Sequence, residues 1–303
     1  MKLTSLVKLI LEDETDDKLA DLSTKFDTGT IEDYVAALQK YATDPKVVAV
    51  LKAGQTDSKG KADERFSVSG ATPKVKDLKP TQNEIGAVDS LKNILTDAYG
   101  SLNGFLKGSA SFPEPIIIYN GEYVIDGHHR WSQVYAANPD CKVQTINVTG
   151  TLSPEQILKV VHTAIAADAG QTKTVQADRS GGNLLKYTDD DVYKYVEENL
   201  NEKALKVWSK YGFGDANSIA QHIAENVRAM ISKSKPESWA PTRDFMPQPG
   251  KSGSDDWGKL MKQGDVNFDR PVQSDIKDSV QKTGKLVESI NTSRWSKLAN
   301  IKK

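Results

Sequence analysis

Apolar positions in the first fifty residues recur at helical spacing. Leu3, Leu6, Val7 and Ile10 fall on one face, so residues 2–54 read as small amphipathic helices. That face must bury against the domain, another copy of the chain or a larger assembly. Thr30, followed by Glu32 and Asp33, reads as an N-cap with acids in the first turn, where the helix dipole favours them. Asp44-Pro45 before Val47, Val48, Val50 and Leu51, closed by Gly54, carries both start and stop signals of a short helix. The polar run from Gln55 to Asp63 reads as a flexible linker.

A second helical stripe runs from Glu84 to Tyr99 through Ile85, Val88, Leu91, Ile94 and Leu95, and Gly100 closes it. Gly104 to Phe112 reads as a Gly- and Ser-rich loop, an ordinary connection or a mobile lid. The pattern then changes. Ile116–Tyr119 and Glu122–Ile125 flank Asn120-Gly121, the pair that supplies the positive φ values of a type I′ turn. Asp126-Gly127-His128-His129-Arg130 next opens a helix with Trp131, Val134 and Tyr135 on one face. Pro139 and Asp140 end it, and Lys142 to Val148 alternates as a third strand. Ser153-Pro154-Glu155-Gln156 starts a helix that continues through Leu158, Val161 and Ile165 toward Gly170. Thr188–Leu200, Lys203–Tyr211 and Ala216–Ser232 are three further helical patterns. The tight link between the last two has a helix-turn-helix look, but His222, Glu225 and Arg228 form no basic cluster, so helical packing is the expected reading. From Lys235 the chain becomes an extended segment with aromatic anchors Trp239, Phe245 and Trp257, followed by a closing helix over Ile276–Ile301.

Composition narrows the class without naming a partner. At 303 residues, 38% hydrophobic and 27% charged, the chain fits a polar globular protein with a sizeable core and accessory segments. No apolar run approaches the roughly 20 residues of a membrane span. The first residues lack the long apolar core of a signal peptide, and the single cysteine, Cys141, fits a reducing compartment. Net charge is −1, and residues 237–303 carry 12 basic against 9 acidic side chains, too small a surplus to argue for DNA.

The strand-to-helix junction holds the candidate chemistry. Two of four histidines, an aspartate and an arginine meet where a helix start presents free N–H groups and a partial positive charge, which suits phosphate. The alternative is purely structural: Asp126 caps the helix, Gly127 supplies a dihedral, one histidine packs inward and Arg130 lies on the surface. Zinc is not expected. His128 and His129 point about 100° apart on a helix, and no HExxH pattern exists.

The strand–DGHHR–helix unit resembles the ParB-like/sulfiredoxin-like superfamily, closest to phage or bacterial "ParB-like nuclease" proteins with a DGHHR box. Val75-Lys76-Asp77-Leu78-Lys79-Pro80-Thr81-Gln82-Asn83-Glu84-Ile85 looks like the short strand and PTQ-type loop of these relatives. The resemblance covers about residues 66–150. It implies an α+β fold: a small mixed-sheet core with helical N- and C-terminal additions. The expected organisation is a helical segment at 1–54, a linker at 55–65, the nucleotide-binding core at 66–150, a helical domain at 151–235 and an extended segment with a C-terminal helix at 236–303. In that carry-over Thr81, Gln82, Gly127, His128, His129 and Arg130 contact nucleotide phosphates. Glu84, Asp126, His128 and His129 become the catalytic candidates, with Glu84 and Asp126 holding Mg²⁺. The implied ligand is ATP or CTP with Mg²⁺.

Two departures limit the carry-over. Partition-type relatives have an arginine-rich box, whereas this one holds Arg130 alone. Sulfiredoxins carry cysteine immediately before their His-Arg, where this chain has His128. The expected function is a phage-encoded nucleotide-binding protein that acts on a phosphate bond by triphosphate hydrolysis, phosphoryl transfer or nuclease action. The alternatives are a non-catalytic virion or assembly protein, and a DNA-binding adaptor. Self-assembly or protein partners would use residues 1–54 and 236–303, in the bacterial host cytoplasm or a virion.

Overall fold

The structure, a computed structural model, describes residues 3–53, 66–113, 115–169 and 181–247. In chain order its elements are α1 (Leu3–Thr28), α2 (Ile31–Tyr41), α3 (Pro45–Ala53), β1 (Phe66–Ala71), β2 (Lys79–Pro80), α4 (Ala87–Thr96) and α5 (Leu102–Lys107). There follow β3 (Ser109–Ala110), β4 (Ile116–Tyr119), β5 (Tyr123–Asp126), α6 (His128–Ala137), β6 (Lys142–Val143), β7 (Thr145–Gly150) and α7 (Pro154–Ala169). The last helices are α8 (Asp189–Asn199), α9 (Glu202–Ser209) and α10 (Ala216–Lys233). Short 3-10 turns lie at Val75–Asp77, Leu184–Lys186 and Arg243–Phe245. The described residues therefore form an α+β protein of ten α-helices with a five-stranded mixed sheet and a two-stranded parallel sheet. No helix among them is long and apolar enough to cross a membrane.

The chain divides into two compact units, each built from separate stretches. The first gathers α1, α2, α3 and all of α7 but Pro154 and Glu155. Residues 3–28 contain no glycine or proline, so one 26-residue helix forms there in place of several small ones. Leu19, Leu22 and Phe26 turn inward along it at three- and four-residue spacing. Thr30 caps α2 as its sequence suggests, with a full capping box to Asp33. The side chains of Leu3, Leu6, Val7 and Ile10 lie outside what the structure describes, as do the 55–63 linker, Trp257 and the 276–301 helix.

The second unit carries the sheets and the remaining helices. Strand order in the larger sheet is β1-β7-β4-β5-β2. Strands β4 and β5 pair antiparallel, while β4–β7 and β5–β2 pair parallel. The hairpin turn has φ 50° at Asn120 and 73° at Gly121, the backbone its sequence demands. Helix α6 packs against α4 and α10, and α10 against α8. Trp131 and Trp208 are fully buried in this core, and each indole N–H donates to a backbone carbonyl, of Val75 and Ile94 respectively, at 2.9 Å. Helices α8, α9 and α10 thus belong to the same compact unit as the sheet, whereas α7 joins the first.

Two local expectations differ from the structure. Residues 142–148 form two strands, because β6 pairs with β3 in the small sheet while β7 pairs with β4 in the large one. Residues 104–112 are no plain loop: α5 occupies their start, and Gly108 at φ 96° ends the helix before β3.

Candidate functional site

Strand β5 delivers Asp126 to the junction, and one residue later α6 begins. The helix cap is Gly127, not Asp126: φ is 89° and no side chain caps the first turn. Asp126 instead accepts a hydrogen bond from Arg130 at 2.7 Å, one helical turn on. A Cβ at position 127 would stand 2.9 Å from two guanidinium nitrogens of Arg130. Glycine therefore serves twice here, tolerating the left-handed backbone and letting the cation lie against the start of the helix.

His128 points inward and is 6% exposed. Its Nε2 accepts the backbone N–H of Thr81 at 3.1 Å. Thr81 is fully buried, and its hydroxyl donates to the carbonyl of Val124 at 2.6 Å. Burial first, then the neighbouring His129 and Arg130, depress the imidazole to about 3. The group is neutral at physiological pH, so the near-neutral titration expected of a proton-transfer histidine is absent at His128.

His129 sits on the open side of the same turn. Its Nε2 accepts the N–H of Gly86, the cap of α4, at 3.3 Å, and its Nδ1 lies 3.3 Å from Asp89 Oδ2. That arrangement places the proton on Nδ1. Burial, then the Arg243 guanidinium, hold His129 at about 4, against the upward pull of Asp89. Both ring nitrogens are engaged, which makes His129 a tie between the starts of α4 and α6.

The structure thus brings the two sequence motifs together. Thr81 meets His128 and Gly86 meets His129, so the 81–86 loop and the DGHHR turn face one another. Gln82 is buried, and its amide nitrogen donates to the Glu84 carbonyl at 2.7 Å, shaping the loop from within. Glu84 is partly exposed. Among the described residues, Glu84 and Asp126 belong to no group of three His, Cys, Asp or Glu side chains able to hold a metal ion. Cys141 is buried, with its thiol pushed up to about 12 by burial.

Two participants escaped the sequence reading. Asp89 stands in the first turn of α4 and Arg243 in the 3-10 turn near the end of the described chain; their side chains approach to 3.4 Å beside His129. Asp89 had a visible signal, an acid in a helix first turn. Arg243 had none, since 113 residues separate it from Arg130 and its position depends on a long-range contact. Set against protein-family models, curated proteins and solved structures, this chain matches none of them.

Proposed function

We propose that the β5–α6 junction is a nucleotide-binding site of the ParB/sulfiredoxin-like kind, and that it holds its ligand through phosphate groups. The observation that carries this reading is the Gly127 cap. The start of a ten-residue helix is left without a side-chain cap while a guanidinium lies directly against it. Uncapped amides and a cation together make an anion site. The meeting of the 81–86 loop with the DGHHR turn, which the resemblance implies, supports the finer assignment.

Roles divide by geometry. Backbone amides of α6 and Arg130 contact phosphate, Thr81 and His128 fix the loop to the strand, and His129 aligns two helix starts. Asp126 holds Arg130 against the helix start, and an incoming phosphate takes over that partnership. Both histidines stay neutral across the physiological range, which suits fixed hydrogen bonding better than proton transfer. Hydrolysis, phosphoryl transfer and phosphodiester cleavage are the reactions to assay once the bound nucleotide is known.

Calorimetric titration with ATP, CTP, GTP and ADP, each with and without Mg²⁺, tests the reading. The expected result is a dissociation constant on the order of micromolar for at least one nucleotide, about −8 kcal/mol. Arg130→Ala should abolish that binding while the circular dichroism spectrum stays native. Absence of heat with every nucleotide, from folded protein, overturns it.

A further inference from the structure

The segment after α10 does more than leave the domain. Lys79 approaches Glu237 at 3.9 Å, at the foot of the loop that leads into the candidate site. Asn83, in the middle of that loop, donates its backbone N–H to Pro241 O at 2.9 Å and its side-chain amide to Ala240 O at 2.8 Å. Ala240 and Met246 are buried at 4% and 5% exposure, so the segment is seated at both ends of its last turn. Between them Arg243 reaches the start of α4, with a guanidinium nitrogen 3.5 Å from where a Cβ of Gly86 would stand. His129 Nε2 lies 3.6 Å from that same point. Arg243 and His129 therefore both stand at ordinary contact distance from the backbone at position 86.

Arg243 is presently matched with Asp89, at 3.4 Å, and the aspartate side chain is half exposed. A long contact to an exposed carboxylate is weak. A phosphate offers the same guanidinium a more highly charged partner and two-point hydrogen bonding. Asp89 is therefore a weak anion beside Arg243, one that a phosphate would outcompete. Residues 234–246 are a strap across the loop of the site, pinned to it at Asn83 and carrying a second cation toward it.

We propose that this strap is the closing element of the anion site, with Arg243 passing from Asp89 to the bound phosphate so that ligand binding and strap docking reinforce each other. The inference rests on the nucleotide-binding reading above. It extends that reading from one cation to two, on elements more than a hundred residues apart in sequence. Coupling of this kind is reciprocal: whatever tightens the strap must tighten the ligand by the same factor.

The test uses the full chain with three probes: ATP, CTP and inorganic tripolyphosphate. Arg243→Ala should weaken binding on the order of tenfold or more, as expected for loss of a charge-assisted hydrogen bond. Asp89→Asn should strengthen it, because the competing carboxylate is gone while an acceptor remains for His129. Hydrogen exchange over residues 234–246 should slow when probe is added to the wild type, and not in Arg243→Ala. Circular dichroism checks that each variant is folded. Wild-type affinity in Arg243→Ala, unchanged or lowered affinity in Asp89→Asn, or a strap whose exchange ignores bound probe would each overturn the proposal. If Arg130→Ala loses binding and Arg243→Ala keeps it, only the strap falls. If the wild type binds none of the probes, the nucleotide reading falls and takes the strap with it.

Discussion

At the scale of the residue, two adjacent histidines of identical chemistry take different structural tasks. His128 is shut in by the Thr81 amide and the sheet, whereas His129 spans the gap between two helix starts. Their depressed pKa values make a stability prediction with a definite sign. The folded imidazole of His128 titrates near 3 and the unfolded one near 6.5. Between those values the unfolded chain binds a proton that the folded chain refuses. The contribution to stability is therefore complete above pH 6.5 and is lost as pH falls toward 3. The steepest slope for one such histidine is about 1.4 kcal/mol per pH unit. His128→Gln keeps an acceptor for Thr81 but cannot titrate. Urea unfolding at pH 7.5, 6 and 5 should show the variant losing less stability than the wild type across that range. Equal slopes would mean that His128 is not held neutral by its burial. Carboxylates contribute to both proteins alike, so the comparison isolates the imidazole.

At the scale of the element, legibility followed how local the cause was. Thr30, Thr188 and Pro154 mark helix starts because a cap or a fixed φ acts within one turn, and the structure puts α2, α8 and α7 there. Asn120-Gly121 was equally clear, since only a few residue types adopt two successive positive φ values. Strand β3 and the separation of β6 from β7 were not legible: two residues cannot display an alternation, and β3 and β6 pair across more than thirty residues. Helix α5 has six residues, too few for a 3.6-residue period to show. The structural alternative offered Asp126 as the cap of α6 because aspartate is a common cap, whereas its commitment to Arg130 is visible only in three dimensions. At the site, the DGHHR turn could be read from the sequence and the Asp89–Arg243 contact could not, for the same reason. The hairpin also has a hidden fastening. The Asn120 side chain accepts from Gly150 N–H at 3.0 Å and donates to Gly150 O at 3.1 Å, tying the turn to the end of β7. Asn120→Gly keeps the backbone and removes those bonds, so it should cost about 1–2 kcal/mol in urea unfolding. Asn120→Ala should cost more, because alanine adds strain at positive φ of about 1–2 kcal/mol. If alanine proves no worse than glycine, the backbone requirement at this turn is weaker than its φ implies.

At the scale of the whole molecule, composition and charge described a globular chain, but the division into units depends on which distant segments meet. Helix α7 from Gln156 onward goes with α1–α3, and α8–α10 go with the sheet. A single buried lysine explains how the first unit closes on itself. Lys159 on α7 is 1% exposed, and its ammonium donates to Lys25 O at 3.4 Å, Phe26 O at 3.1 Å and Gly29 O at 2.6 Å. These are carbonyls at the end of α1, where a helix leaves its last acceptors unmatched and favours a cation. Nearby, Tyr34 of α2 and Thr163 of α7 share a hydroxyl hydrogen bond at 2.5 Å, so two polar links join segments about 130 residues apart. Sequence periodicity marks Lys159 only as a lysine among Leu158, Val160 and Val161, because nothing local reveals that the helix is covered on that side. Lys159→Met preserves the length and the apolar stem but leaves buried carbonyls without their donor. The expected cost is about 2–4 kcal/mol, given roughly 1–3 kcal/mol for each unsatisfied buried group. Because the units have separate cores, the damage should be local. Hydrogen exchange should accelerate in α1, α2 and α7 while α4, α6 and α10 keep their wild-type protection. A uniform acceleration through both units would show instead that they unfold as one, and that the lysine stabilises the entire chain rather than the unit it closes.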